Sequence, residues 1–287
     1  MPTLALCMIV KNEENYLDAC LSSVKDVIDE FVIVDTGSTD NTKNIIRKYT
    51  NNDYNFKWCN DFAAARNESF RLAKSEWLLW LDEDDILKPE DLEKLKELKP
   101  KLNDINMAIN MIYDYAHDEM GNVTLALKRN RIVKNDENAR WEGFVHEIIP
   151  ISINESYPSD IHVTHTRVHS NGTRNLDLFK AKRKEGHPFT PRDTLYFAKE
   201  LYYNGLYSES LKEFDTYLNQ SNRWIEDEID ARIKIADMYK IKGNIKDCRC
   251  TMTTEFIGFE KGEKEKELDE KLRKMSFEEW QERKKKK

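Results

Sequence analysis

Trp77-Leu78-Leu79-Trp80-Leu81 runs straight into Asp82-Glu83-Asp84-Asp85, and this junction decides how the chain is read. Five apolar residues without polar alternation predict a strand buried on both faces, as in a parallel sheet covered by helices. The four acids at its carboxyl end cannot all be buried uncompensated, because desolvating an unpaired charge is costly. In an open α/β sheet, ligands bind beyond the carboxyl ends of the strands. Oxygen donors clustered there suit a hard divalent cation, Mn2+ or Mg2+, that in turn holds substrate phosphates. Taken alone, the run also reads as a solvated acidic loop opening the next helix, so the neighbouring segments must decide.

Upstream, strand and helix patterns alternate. Leu4 to Val10 is an apolar run, and Leu17, Cys20, Leu21, Val24 and Val27 recur at helical spacing. Phe31 to Val34 predicts a second strand, ended by Asp35-Thr36-Gly37-Ser38-Thr39-Asp40. Ser38, Thr39 and Asp40 are candidate N-caps for a helix through Ile45, Ile46 and Tyr49. Asn55 to Trp58 predicts a short third strand, Phe62 to Ala73 an alanine-rich helix, and Pro89 the first turn of another. This order predicts a mostly parallel sheet with flanking helices. Downstream, Met107–Tyr115 and Val123–Leu127 flank Glu119-Met120-Gly121-Asn122 as a hairpin would. Short strands are expected at Arg131-Ile132-Val133, Ile148 to Ile151 and Ile161-His162-Val163, completing one mixed-sheet domain near residue 170.

From about residue 175 the pattern is helical. Ala198, Leu201, Gly205, Tyr207, Ser210 and Phe214 match Ala236, Tyr239, Gly243, Ile245, Cys248 and Met252 at a constant offset. Each set reads as a helix, a glycine turn and a second helix, the pattern of tetratricopeptide-like units. The expected domains are 1–175, a repeat region at 176–259, and a charged capping helix or tail at 260–287.

Composition bounds the remaining choices. With 46 Lys and Arg against 53 Asp and Glu, the net charge is −7, so no global basic field draws in nucleic acid. Charged residues make up 34%, no stretch approaches the length of a membrane span, and Met1 to Val10 lacks the basic region of a signal peptide. The five cysteines, including Cys248-Arg249-Cys250, have no CxxC spacing and read as reduced thiols, so a cytoplasmic location is expected. Neither GxGxxG nor a Walker A sequence is present, which argues against dinucleotide oxidoreductases and P-loop enzymes.

Three further segments could carry chemistry. Asp35 and the hydroxyls after it offer acceptors and donors for a nucleoside, with Gly37 allowing close approach, although turn-and-cap chemistry accounts for the same residues. Arg140-Trp141-Glu142-Gly143-Phe144-Val145-His146-Glu147 contains two candidate general bases. Read as a strand, it turns His146 and Glu147 to opposite faces. His162, His165 and His169 would align on a helix, but Ile161 to His165 reads as a strand, which separates His162 from His165 and argues against a zinc triad. One of the three remains a candidate ligand for a metal or phosphate.

Together these residues resemble the family-2 glycosyltransferases with the GT-A fold, over roughly residues 3–180. Five segments carry the resemblance in order: Met8 to Glu13, Val34 to Asp40, Asp61 to Asn67, Leu81 to Asp85, and Trp141 to Glu147. The helical repeats resemble the subgroup that includes bacteriocin peptide S-glycosyltransferases and lipopolysaccharide-core glucosyltransferases. The resemblance implies a metal-dependent inverting transferase using a UDP-sugar donor and a peptide, glycan or lipid-linked glycan acceptor. It implies that Asp82 faces ribose or phosphate, that Asp84 binds Mn2+ or Mg2+, and that Asp35 and Thr36 lie at the uridine pocket. Arg66 and Asn67 would serve the nucleotide, His165 would contact metal or diphosphate, and Glu147 or His146 would act as base. Two positions depart from the family's usual pattern: Thr36 stands where a second acid is common, and His146-Glu147 where many members carry Glu-Asp.

Two rival readings remain from the sequence: an inactive sugar-nucleotide-binding protein that recruits partners through its repeats, and a sugar nucleotidyltransferase. The second usually opens with a glycine-rich phosphate loop, and Met8 to Glu13 has no glycine. A homo-oligomer is compatible with each.

Overall fold

The computed structural model describes residues 1–241 apart from 53, 106 and 168–171. The second repeat beyond Ile241, His169, the Cys248-Arg249-Cys250 pair and the tail at 260–287 lie outside the described residues. By internal contacts the chain divides into a unit at Met1–Gly186 and a second from His187 onward.

The first unit is built on one eight-stranded sheet. Its strands are β1 (Leu4–Val10), β2 (Glu30–Asp35), β3 (Tyr54–Asn55), β4 (Trp77–Trp80), β5 (Asp85–Ile86), β6 (Ala108–His117), β7 (Val123–Lys134) and β8 (Tyr157–His165), in the order β3-β2-β1-β4-β7-β6-β8-β5. The β3-β2-β1-β4 block is parallel; β7 runs antiparallel to β4 and β6, and β5 antiparallel to β8. Every residue of β1 and β4 is buried, because both faces are covered. Leu4, Leu6 and Met8 with Trp77 and Leu79 form one face of the core, packed with Leu17, Leu21 and Val24 of α1 (Leu17–Val24). Ala5, Cys7, Leu78 and Trp80 form the other, packed with Ala63 and Phe70 of α3 (Phe62–Leu72). Ile45 and Ile46 of α2 (Thr42–Ile46) join the face covered by α1, and α4 (Pro89–Leu98) begins at Pro89 as predicted. The last helix of the unit is α5 (Arg174–Lys184), which the sequence reading placed across the start of the repeat region.

Several expectations are corrected. The α2 N-cap is Asn41, with no side-chain cap bond; Asp40 instead accepts from the Thr42 N–H at 3.0 Å and the Glu14 N–H at 3.2 Å, and the helix stops at Ile46. The third strand covers only Tyr54–Asn55. Arg131-Ile132-Val133 is no separate strand but the inner end of β7, the long partner of β6 in the predicted hairpin. Ile148 to Ile151 forms a single bridge, Glu142 to Ile148.

In the second unit, α6 (Pro191–Tyr203) opens with a capping box between Thr190 and Asp193. It ends in a Schellman turn: Gly205, at φ +74°, donates to the Tyr202 carbonyl and Leu206 to that of Leu201. α7 (Tyr207–Leu218) folds back so that the Ser210 hydroxyl donates to the Ala198 carbonyl at 2.8 Å. With α8 (Ile225–Ile241) the pair encloses Leu195, Phe214, Tyr217, Ala231 and Met238.

Candidate active site

The loops after β1 and β2 are stitched together. Asn12, at φ +58°, accepts from the Thr39 N–H at 2.8 Å, while its own N–H donates to the Ser38 hydroxyl at 2.9 Å. Gly37 turns at φ +112°, which lets Asp35 Oδ1 accept from the N–H groups of Gly37 and Ser38. Asp35 Oδ2 is left buried with no hydrogen-bond partner among the described residues. Thr36 is also buried, but its hydroxyl donates back to the Val10 carbonyl at 3.1 Å.

Arg66 on α3 organises the next part of the site. Its Nε donates to Glu147 Oε1 and its Nη2 to Asp82 Oδ1, each at 2.6 Å. The guanidinium also lies 4.8 Å from the Trp141 ring centroid and 5.3 Å from that of Trp80. Burial works against its charge, but the charges of Asp82 and Glu147 outweigh burial and keep it firmly protonated. Asp82 mirrors this: burial pushes its carboxyl up, while Arg66 and Arg131 more than offset that and hold it below the usual range. Asp82 and Glu147, both named from sequence, thus meet on the side chain of Arg66, named there too.

Asn67 acts through the backbone. Its amide accepts from the Trp141 N–H at 2.8 Å and donates to the Trp141 carbonyl at 2.9 Å, pinning the 141–147 segment to α3. Phe62 N–H donates to the Phe144 carbonyl, and Phe144 packs edge-on against Phe179. The segment is a loop rather than the expected strand, with Gly143 at φ +91° and His146 at φ +53°. Strand alternation therefore does not set His146 and Glu147 apart, and the loop places Glu147 against Arg66.

The acids after β4 divide their tasks through β5. This strand pairs Asp85 with His165 and Ile86 with Thr164, folding the acidic loop against the end of β8. Asp84, Asp85 and His165 are all buried and offer three ligand atoms within 4.8 Å of one another, a cluster that could hold a metal ion. Asp85 Oδ1 is buried with no hydrogen-bond partner among the described residues, and an oxygen-rich set with one imidazole suits Mn2+ or Mg2+. Fully buried Arg131 clamps Asp85 Oδ2 at 2.9 Å and lies 3.9 Å from the Trp80 ring centroid. The register also separates the histidines. His162 Nδ1 meets Asp114 Oδ2 at 3.0 Å, whereas His165 Nδ1 lies 3.3 Å from Asp84 Oδ1 and 3.0 Å from the Tyr113 hydroxyl. Sequence reasoning missed Asp85, Arg131 and Arg167. A charged residue opening the apolar Arg131-Ile132-Val133 run was the available signal for the second.

Burial alone would push the His165 ring down, but the carboxylates of Asp84 and Asp85 beside it outweigh this and push it up to about 9. The folded value lies above the ordinary 6.5, so this protonated ring contributes stability fully below pH 6.5 and loses it as pH rises through about 9. With chelator present, wild type is expected to lose melting temperature across that window relative to His165→Gln; parallel pH profiles would contradict this. Glu83 shifts too: burial, reinforced by the charges of Asp82, Glu13 and Asp84, pushes its carboxyl well above the usual range.

The sequence profile described as Glycosyl transferase family 2 matches residues 5–151, more than half of the 287. The chain belongs to that family. Its mixed, mostly parallel sheet with flanking helices is the GT-A arrangement expected from the sequence. This family-2 chain is 33% identical to a TPR repeat-containing protein of Synechococcus elongatus, over 53% of this chain and 37% of the relative. It is 26% identical to the SPbeta prophage-derived glycosyltransferase SunS of Bacillus subtilis, over 86% of this chain and 61% of the relative. The chain thus spans less than two thirds of either protein. Among solved structures, S. aureus TarS 1–349 in complex with UDP-GlcNAc is 13% identical, covering 88% of this chain and 86% of that one with a TM-score of 0.47. Among the described residues, no helix is long and apolar enough to cross a membrane.

Proposed function

We propose that this chain is a divalent-cation-dependent glycosyltransferase that moves a sugar from a UDP-linked donor to a peptide, glycan or lipid-linked glycan acceptor, with inversion at the anomeric carbon. The observation that carries this reading is the gathering, beyond the carboxyl ends of β1, β2 and β4, of three differently equipped carboxylate groups in a family-2 chain. The buried acceptor Asp35 Oδ2 matches the ring N–H of a uracil. Asp82, tethered to Arg66, faces the ribose and phosphate side. Asp84, Asp85 and His165 would hold Mn2+ or Mg2+, which when bound stabilises the charge growing on a departing diphosphate. Glu147, fixed by Arg66, takes the proton from the acceptor nucleophile as it attacks the sugar from the face opposite the nucleotide. His146, at the turn, helps aim it. The helical second unit supplies an acceptor platform.

Incubation with a panel of UDP-sugars and Mn2+ is expected to release UDP from at least one donor, and chelator to stop the release. UDP binding without turnover of any donor would favour an inactive binding protein. Pyrophosphate formed from UTP and a sugar phosphate would favour a nucleotidyltransferase.

A further inference from the structure

Three consecutive residues grip Asp84. His165 Nδ1 lies 3.3 Å from Oδ1, Thr166 donates its N–H and hydroxyl to the Asp84 carbonyl at 2.9 and 2.7 Å, and Arg167 Nε lies 3.0 Å from Oδ2. Arg167 does more than orient one carboxylate. Its Nη2 also bonds Glu13 and lies 3.6 Å from Glu83 Oε1, while the guanidinium sits 4.6 Å from the Tyr16 ring centroid. Two neighbouring arginines are committed elsewhere: Arg66 to Asp82 and Glu147, and Arg131 to Asp85. Glu13, Glu83 and Asp84 therefore converge on Arg167, whose planar fork can address several carboxylates at once where a lysine ammonium is a single point charge.

We infer that Arg167 is a tethered counter-ion, standing in for the divalent cation at Asp84 and thereby coupling cation binding to nucleotide binding. This rests on the glycosyltransferase reading and adds a regulatory property to its site. A divalent ion on the Asp84 Oδ1 side meets the Arg167 charge on the Oδ2 side, and like charges so close in a partly buried site oppose one another. A third of the Arg167 side chain is exposed (33%), so the arm has solvent to move into. A diphosphate entering with the cation brings negative charge for both. The cation alone thus binds weakly, and cation and nucleotide each raise the other's affinity by the same factor. Arg167 is a positioning residue here: it acts through Asp84 and Glu13.

Calorimetric titration of Mn2+ into wild type and Arg167→Gln, with and without UDP, tests this. UDP is expected to raise the wild-type Mn2+ affinity by on the order of tenfold or more. Arg167→Gln is expected to bind Mn2+ alone about tenfold more tightly than wild type, with UDP adding correspondingly less. A variant that binds Mn2+ alone no more tightly than wild type overturns the inference, because that is the behaviour of a residue that merely orients a ligand. So does a wild type whose Mn2+ affinity is unchanged by UDP, a measurement that needs no variant to fold. A wild type that takes up no Mn2+ even with UDP present sinks the glycosyltransferase reading too, which separates that failure from the first two.

Discussion

Asp84→Ala is expected to lower sugar transfer by at least about 10²–10³-fold, the range for removing one preorganised group that stabilises transition-state charge. The loss should come with loss of Mn2+ binding, because Asp84 is the carboxylate that His165, Thr166 and Arg167 jointly hold in place. The fold should survive. Thr166 grips the backbone carbonyl of residue 84, which alanine retains, and removing one acid relieves crowding with Glu83. Initial rates of UDP release, read beside melting temperatures in chelator, check both halves. Near-wild-type turnover would remove Asp84 from the cation site, and a large drop in melting temperature would mark a structural role instead.

Arg66→Leu is expected to be the most destabilising single change in the site, by about 3–5 kcal/mol, the cost of leaving buried charge without its partner. Asp82 and Glu147 would then face each other with no cation between them, and the guanidinium's seat on Trp80 and Trp141 would be lost. The variant's deficit should shrink as pH falls, since protonation removes the exposed conflict between the two acids. Urea melts at neutral and mildly acidic pH measure this; a deficit that does not change with pH would point to lost packing alone. Glu147→Gln makes the contrast. Its amide oxygen still accepts from Arg66 Nε, so the fold and UDP binding should persist while transfer falls.

Much of this was legible in the chain because it is local. The buried strands at Leu4 to Val10 and Trp77 to Trp80 follow from unbroken apolar runs, and α3 from its alanines. The acidic loop was recognisable by its place after such a strand. What could not be read depends on pairing across the sheet. The two-residue strand β5 has no periodicity to detect, yet its register with β8 selects His165 over His162 and draws Asp85 into the cluster. The 141–147 segment was expected as a strand, but the bonds of Asn67 and Phe62 and the positive φ at Gly143 and His146 make it a loop. Arg131 was hidden because a guanidinium at the end of an apolar run looks like a surface residue until Asp85 is placed behind it.

The central claim is that this sheet edge holds a divalent cation between Asp84, Asp85 and His165 while a uridine nucleotide lies beside Asp35. Diffraction from crystals grown with Mn2+ and UDP, collected where manganese scatters anomalously, tests it most directly. The predicted result is one anomalous peak within bonding distance of those three side chains and of the diphosphate. A peak held by other residues, or a nucleotide bound away from the ends of β1 and β2, would contradict it.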